Sequence, residues 1–276
     1  MELHICAPHP AAHFSSQTTD LLVNIAAAPV TAVGPPQNAR SLDQIVDAID
    51  ARRRLLGLER WVIWGMSGGS FLGQLYAQKY PGVVLGLILA SSGPYFRPTV
   101  EDPDCILCPR NQAWRSKLSA CGLLDGQYDQ GATTWEFVES VGWVFRRAGG
   151  AALLVSPEQP NIELKEIMPA LWEFDARSWL PAVRSPALVM CGTADPIVRL
   201  AHARALADLL PNSRLVAIEG AGHIPLTDHR REVETAIRAF LSELSPSRRR
   251  SNLRCAAIRS AVVMTRRTTR SQQPFT

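Results

Sequence analysis

The sequence predicts an α/β fold, in which a mostly parallel sheet is flanked by helices and interrupted by an inserted helical segment. Three observations predict it. Short apolar runs alternate with helical patterns over residues 3–90 and again over 186–244, as expected of a parallel sheet covered on both faces. One of those runs, Trp61-Val62-Ile63-Trp64, passes directly into Gly65-Met66-Ser67-Gly68-Gly69 and then into a helix-like stretch over 71–80. Residues 94–185 break the alternation, with helix-like segments at 133–148 and 162–174 and an ambiguous strand at 151–155.

Taken in order, residues 3–7 read as a first strand and 29–33 as a second, with Leu21, Leu22, Val23 and Ile25 in a helical stretch between them. Ser41 and Gln44 form a capping-box pattern ahead of Leu42, Ile45, Val46 and Ile49, which recur at helical spacing. The strand at 61–64 follows, then the glycine-flanked serine, its helix, and a strand over 85–90. Beyond the insert, 186–192 reads as a buried strand that ends in the turn Thr193-Ala194-Asp195-Pro196. A further strand, 215–218, runs into Glu219-Gly220-Ala221-Gly222-His223.

Each of three polar residues therefore lies just after a strand, where open α/β sheets place their chemistry. A serine between glycines on a sharp strand-to-helix turn is the pattern of a nucleophile elbow, which makes Ser67 the candidate nucleophile. A serine hydroxyl needs a base to remove its proton, and the base needs an acid to hold its tautomer. His223, presented by a loop of small residues, is the candidate base, and Asp195 the candidate acid. His4 falls in a strand pattern, His202 opens a helix, and His229 reads as a surface residue. Asp175 lies in the insert and Asp228 stands too near His223 in sequence, so Asp195 is preferred to both.

The order serine, acid, histidine, with Leu56-Gly57-Leu58, Tyr80-Pro81, Gly192-Thr193-Ala194-Asp195-Pro196 and Gly220-Ala221-Gly222-His223-Ile224-Pro225, resembles the α/β-hydrolase superfamily. The resemblance covers residues 1–244, the middle third in length and position alone. It implies a hydrolase core in two parts, 1–93 and 186–244, a helical cap over 94–185, and a basic, disordered tail over 245–276. It also implies that the first two strands of the family sheet are missing, which leaves residues 29–33 as an uncovered edge open to a second copy of the chain, a homodimer. The early turn, Ala7-Pro8-His9-Pro10-Ala11-Ala12, departs from the family pattern. An oxyanion hole takes one backbone N–H from the residue after the nucleophile, Gly68, and one from this turn. Pro10 has no N–H, so the second donor falls to Ala11.

With 276 residues and 46% hydrophobic content, the chain suits one domain with an insertion. Its net charge of +4 comes from eight arginines beyond residue 245; without them 21 basic residues stand against 25 acidic ones. A mildly acidic body gives no support for nucleic-acid binding. The amino terminus lacks a secretory pattern and no run reaches membrane-spanning length, so a cytoplasmic protein with no membrane partner is expected. Six cysteines fit reduced thiols. The Cys105-Ile106-Leu107-Cys108 pair has no second pair or histidine nearby to complete a metal site, so neither metal nor cofactor is expected.

These observations predict a cofactor-independent serine hydrolase acting on a small carboxylic ester, a small-molecule acyl substrate. One rival is a peptidase resembling prolyl aminopeptidases, for which Glu136, Glu139 and Glu173 would hold a free amino terminus. Another is a hydrolase-fold binding protein or receptor with slow turnover.

Overall fold

The structure is a computed structural model. It describes residues 39–105, 108, 110–113, 116 and 169–244, apart from the side chains of Thr227 and Asp228, and the backbone of strands Leu3–Cys6 and Val30–Val33. The early turn, residues 117–168 and the tail, for which the sequence sets expectations, lie outside the described residues. The chain divides into two units, Met1–Ile237 and Arg238–Thr276, and the sheet and every candidate site residue belong to the first.

Six strands form one parallel sheet: β1 (Leu3–Cys6), β2 (Val30–Val33), β3 (Trp61–Met66), β4 (Val84–Ala90), β5 (Ala187–Gly192) and β6 (Ser213–Ile218), in the spatial order β2-β1-β3-β4-β5-β6. The order reverses between β1 and β3. From there the chain builds outward to β2 on one side and through β4 to β6 on the other, so the carboxyl end of β3 lies at a topological switch point, where such sheets form their crevice. Strands β4 and β5 are almost continuous apolar runs, and Trp61, Trp64, Leu87, Leu89 and Val189 are buried, as central strands covered on both faces require. Among the described residues β2 is an outer strand, as the expected edge at 29–33 requires.

Helix α1 (Leu42–Leu55) buries Leu42, Ile45, Val46 and Ile49, the residues spaced for one face. Ser41 caps it, its Oγ accepting from the Gln44 N–H at 3.2 Å. The glutamine reaches back to the N–H of Arg40 at 2.7 Å, one residue before the position a capping box uses. At the other end the Leu58 N–H meets the Arg53 carbonyl at 3.1 Å and the Gly57 N–H meets that of Arg54 at 3.0 Å, a Schellman closure. Helix α2 (Gly68–Lys79) starts three residues earlier than the apolar pattern suggests, because two glycines and a serine carry no hydrophobic periodicity. Further helices among the described residues are α3 (Arg97–Val100), α4 (Leu200–Leu209), α5 (Pro225–Asp228) and α6 (Arg230–Leu244). None of the helices among the described residues is long and apolar enough to cross a membrane.

The two ends of the insert are knit together. Tyr95 and Asp175 form an antiparallel bridge, the Phe96 N–H donates to the Phe174 carbonyl at 3.1 Å, and the Ala176 N–H donates to that of Pro94 at 2.8 Å. Phe71 of α2 packs edge-on against both Phe96 and Phe174, with ring centroids 5.7 and 5.0 Å apart. Aromatic rings from both ends of the insert thus close over the helix that follows Ser67.

Candidate active site

Ser67 sits between β3 and α2 with φ 51° and ψ −119°, a left-handed conformation that is costly for a residue with a side chain. The fold holds it there at several points. Its N–H donates to the Ala90 carbonyl at 2.9 Å, and the buried Ser70 hydroxyl lies 3.0 Å from the Gly65 carbonyl and 3.2 Å from that of Ala90. Strand and helix approach so closely that a Cβ on Gly65 would come within 2.3 Å of the Gly69 carbonyl oxygen. Glycine at that position is what lets the turn close. Gly68, at the first position of α2, has a backbone N–H without an intrahelical acceptor, at the end where the helix dipole favours negative charge.

Asp195 follows β5 and is 6% exposed; His223 follows β6 and is 4% exposed. The Asp195 carboxylate accepts the N–H groups of Ile197 and Val198 on Oδ1 at 2.8 and 2.9 Å. Both of its oxygens also face His223 Nδ1, at 3.0 and 2.9 Å. A carboxylate only accepts, so this nitrogen carries the hydrogen and the lone pair is left on Nε2. That lone pair lies 3.1 Å from Ser67 Oγ. The three residues expected from the sequence are therefore joined in one hydrogen-bonded run across 156 residues of chain.

The loops carrying Asp195 and His223 are themselves clasped. Thr193 N–H donates to the Ile218 carbonyl and Ala194 N–H to that of Ala221, each at 3.0 Å, and the Gly220 N–H meets Thr193 Oγ1 at 2.9 Å. A Cβ on Gly192 would fall 2.1 Å from the Ala221 oxygen and 2.4 Å from that of Gly222. Behind Asp195, the Cys191 thiol is fully buried, and burial first, then the Asp195 charge, push its pKa up. It remains a neutral thiol beside the Asp195 carboxylate.

Other candidates occupy different places. His202, on α4, is buried and pairs through Nε2 with Asp102 at 2.9 Å, while its Nδ1 faces the Tyr95 hydroxyl at 3.3 Å. This second Asp–His pair ties the start of the insert to α4. Asp175 engages Arg177. His229, expected at the surface, is half-buried, with Nδ1 enclosed and Nε2 facing Gly220; its position just past the short helix α5 folds it under the loop that carries His223. Ala11 lies outside the described residues. No group of three His, Cys, Asp or Glu among the described residues could hold a metal ion. Sequence reasoning did not single out Ser70 or Ser91, because a buried serine that binds backbone carbonyls has no signature in composition or period.

This sheet, with Ser67, His223 and Asp195 joined at the ends of its strands, is of the hydrolase-type α/β class. The family model described as alpha/beta hydrolase fold matches residues 10–117 and 165–230, more than half of the chain, and the protein belongs to that family. Polyketide synthase ThaQ of Burkholderia thailandensis is 46% identical over 78 residues, which are 28% of this chain and 4% of that protein. The chain thus spans only a small part of that synthase. A pimeloyl-[acyl-carrier protein] methyl ester esterase of Aromatoleum aromaticum is 31% identical over 178 residues, covering 61% of this chain and 68% of the esterase. Among solved structures, an alpha/beta fold family hydrolase from Bacillus anthracis superposes with a TM-score of 0.66 at 16% identity, over 88% of this chain and 91% of the other.

Proposed function

We propose that the protein is a serine hydrolase that cleaves a small carboxylic ester through an acyl-enzyme intermediate. The observation that carries this reading is the run from Asp195 through His223 to Ser67, with the hydrogen on Nδ1 and the lone pair on Nε2 toward the serine. The likeness to a methyl ester esterase supports an ester as substrate.

Ser67 Oγ attacks the ester carbonyl carbon while its proton passes to His223 Nε2, and the carbonyl electron pair moves onto oxygen. The Gly68 N–H and that of Ala11 hold this oxyanion; losing such a donor costs about 2.7 to 4 kcal/mol of transition-state stabilisation. Re-forming the carbonyl expels the alkoxy group, which takes the proton from Nε2 and leaves as alcohol. Water then adds to the acyl carbon as its proton passes to Nε2. Ser67 Oγ leaves, recovers that proton, and the carboxylic acid departs. Asp195 stabilises the imidazolium in both halves without taking its proton.

The test is hydrolysis of a panel of methyl and p-nitrophenyl esters, with a prolyl amide alongside, by the full chain and by Ser67→Ala and His223→Ala. Wild type should cleave esters, and each variant should lose about a thousandfold or more while remaining folded. Ser67→Ala activity within tenfold of wild type would overturn the reading. Cleavage of the prolyl amide alone would favour the peptidase, and Ser67 labelling without any turnover the receptor.

A further inference from the structure

We infer that Ser91 is a positioning residue, which holds the proposed base in line with the proposed nucleophile by gripping the main chain of His223; this rests on the function proposed above. Ser91 follows β4, is fully buried, and has φ 52°. Apart from Ser67, it is the non-glycine residue with positive φ among the described residues. A serine held in that region points to a local purpose rather than to a turn preference. Its Oγ–H donates to the carbonyl oxygen of His223 at 2.7 Å, across 132 residues of chain.

The Ala90–Ser91 peptide unit and the Ser91 hydroxyl together reach both proposed partners, Ser67 and His223. The carbonyl of that unit accepts the N–H of Ser67 at 2.9 Å, and its N–H donates to the Met190 carbonyl at 2.8 Å. The same residue's hydroxyl then fixes His223. Nucleophile and base are thereby referenced to a single rigid strand end, β4, packed between β3 and β5. The His223 ring is held at Nδ1 by Asp195, but this sets its tautomer and tilt rather than the place of its backbone. The hydroxyl of Ser91 supplies that second anchor, from a residue held at φ 52°.

The experiment compares the full chain with Ser91→Ala and Ser91→Gly, reading kcat, KM and the rate of Ser67 modification by a fluorophosphonate. Both variants should lose about tenfold to a hundredfold in kcat and in labelling rate, the scale expected of a small misplacement, with KM within about twofold. Glycine suits a positive φ better than alanine, so Ser91→Gly should melt no lower than Ser91→Ala and remain just as impaired. Labelling at the wild-type rate in either variant, a change confined to KM, or recovery of activity in Ser91→Gly would overturn the inference. Failure of both variants to fold would assign the hydroxyl to the fold and overturn it as well. A wild-type protein that is not labelled at Ser67 would instead overturn the proposed function, so the two failures are distinguishable.

Discussion

Oδ1 of Asp195 is committed to two backbone N–H groups as well as to His223, and this fixes what an amide would do there. In Asp195→Asn the carbonyl oxygen stays with Ile197 and Val198, and the NH2 turns toward Nδ1. The imidazole must then accept at Nδ1 and carry its hydrogen on Nε2, facing Ser67 with no lone pair. The expected loss in kcat is about ten-thousandfold, the size seen for the equivalent change in a well-studied serine protease, with the fold intact by circular dichroism. Gly192→Ala tests the clasp around the base: its new Cβ would strike two backbone oxygens of the His223 loop. Activity should fall about a hundredfold with a smaller effect on melting. Ser67, Asp195 and His223 were legible in the sequence because each stands at the end of an apolar run among small residues. Ser91 was not, since nothing in a one-dimensional pattern marks a serine as left-handed or says which carbonyl it will meet.

Helices α1 and α2 are coupled by a buried carboxylate. Asp50 accepts from the Tyr76 hydroxyl at 2.9 Å, with Arg53 and Arg54 each at 2.8 Å. Burial pushes its pKa up, but hydrogen bonds from Arg53 and Tyr76 and the two guanidinium charges outweigh this and hold it below its ordinary 3.8. The folded protein therefore binds this proton less readily than the unfolded chain. Its contribution to stability is complete above the unfolded-state value and is lost as pH falls through the lower folded-state value. Asp50→Asn should cost about 1.5 to 3 kcal/mol near neutral pH, or about 2 to 4 °C of Tm per kcal/mol. The gap from wild type should narrow below about pH 4; a gap that widens on acidification would contradict this. The capping serine and the apolar face of α1 could be read from spacing alone, whereas Tyr76 meets the Asp50–Arg53 pair of α1 only once two helices pack.

The order β2-β1-β3-β4-β5-β6 puts the ends of β3, β4, β5 and β6 side by side, so four consecutive loops can deliver Ser67, Ser91, Asp195 and His223 to one crevice. Alternation of strand and helix was enough to predict this sheet, because each buried strand announces itself as a short apolar run. The insert was legible only as an interruption; its joining ends are explained by the Tyr95–Asp175 bridge and by the rings of Phe71, Phe96 and Phe174, contacts between segments far apart in sequence. The same order makes β2 an outer strand among the described residues, whose unpaired amides should exchange faster than those of β3 to β5 in a monomeric sample. Equal protection in a demonstrated monomer would contradict that. All of these features converge on Ser67 Oγ, the proposed nucleophile, so the most direct measurement is the mass of the intact protein after treatment with a fluorophosphonate, followed by peptide mapping. A single adduct on the peptide containing Ser67, absent in His223→Ala over the same time, is the expected result; no adduct, or an adduct on another residue, would contradict it.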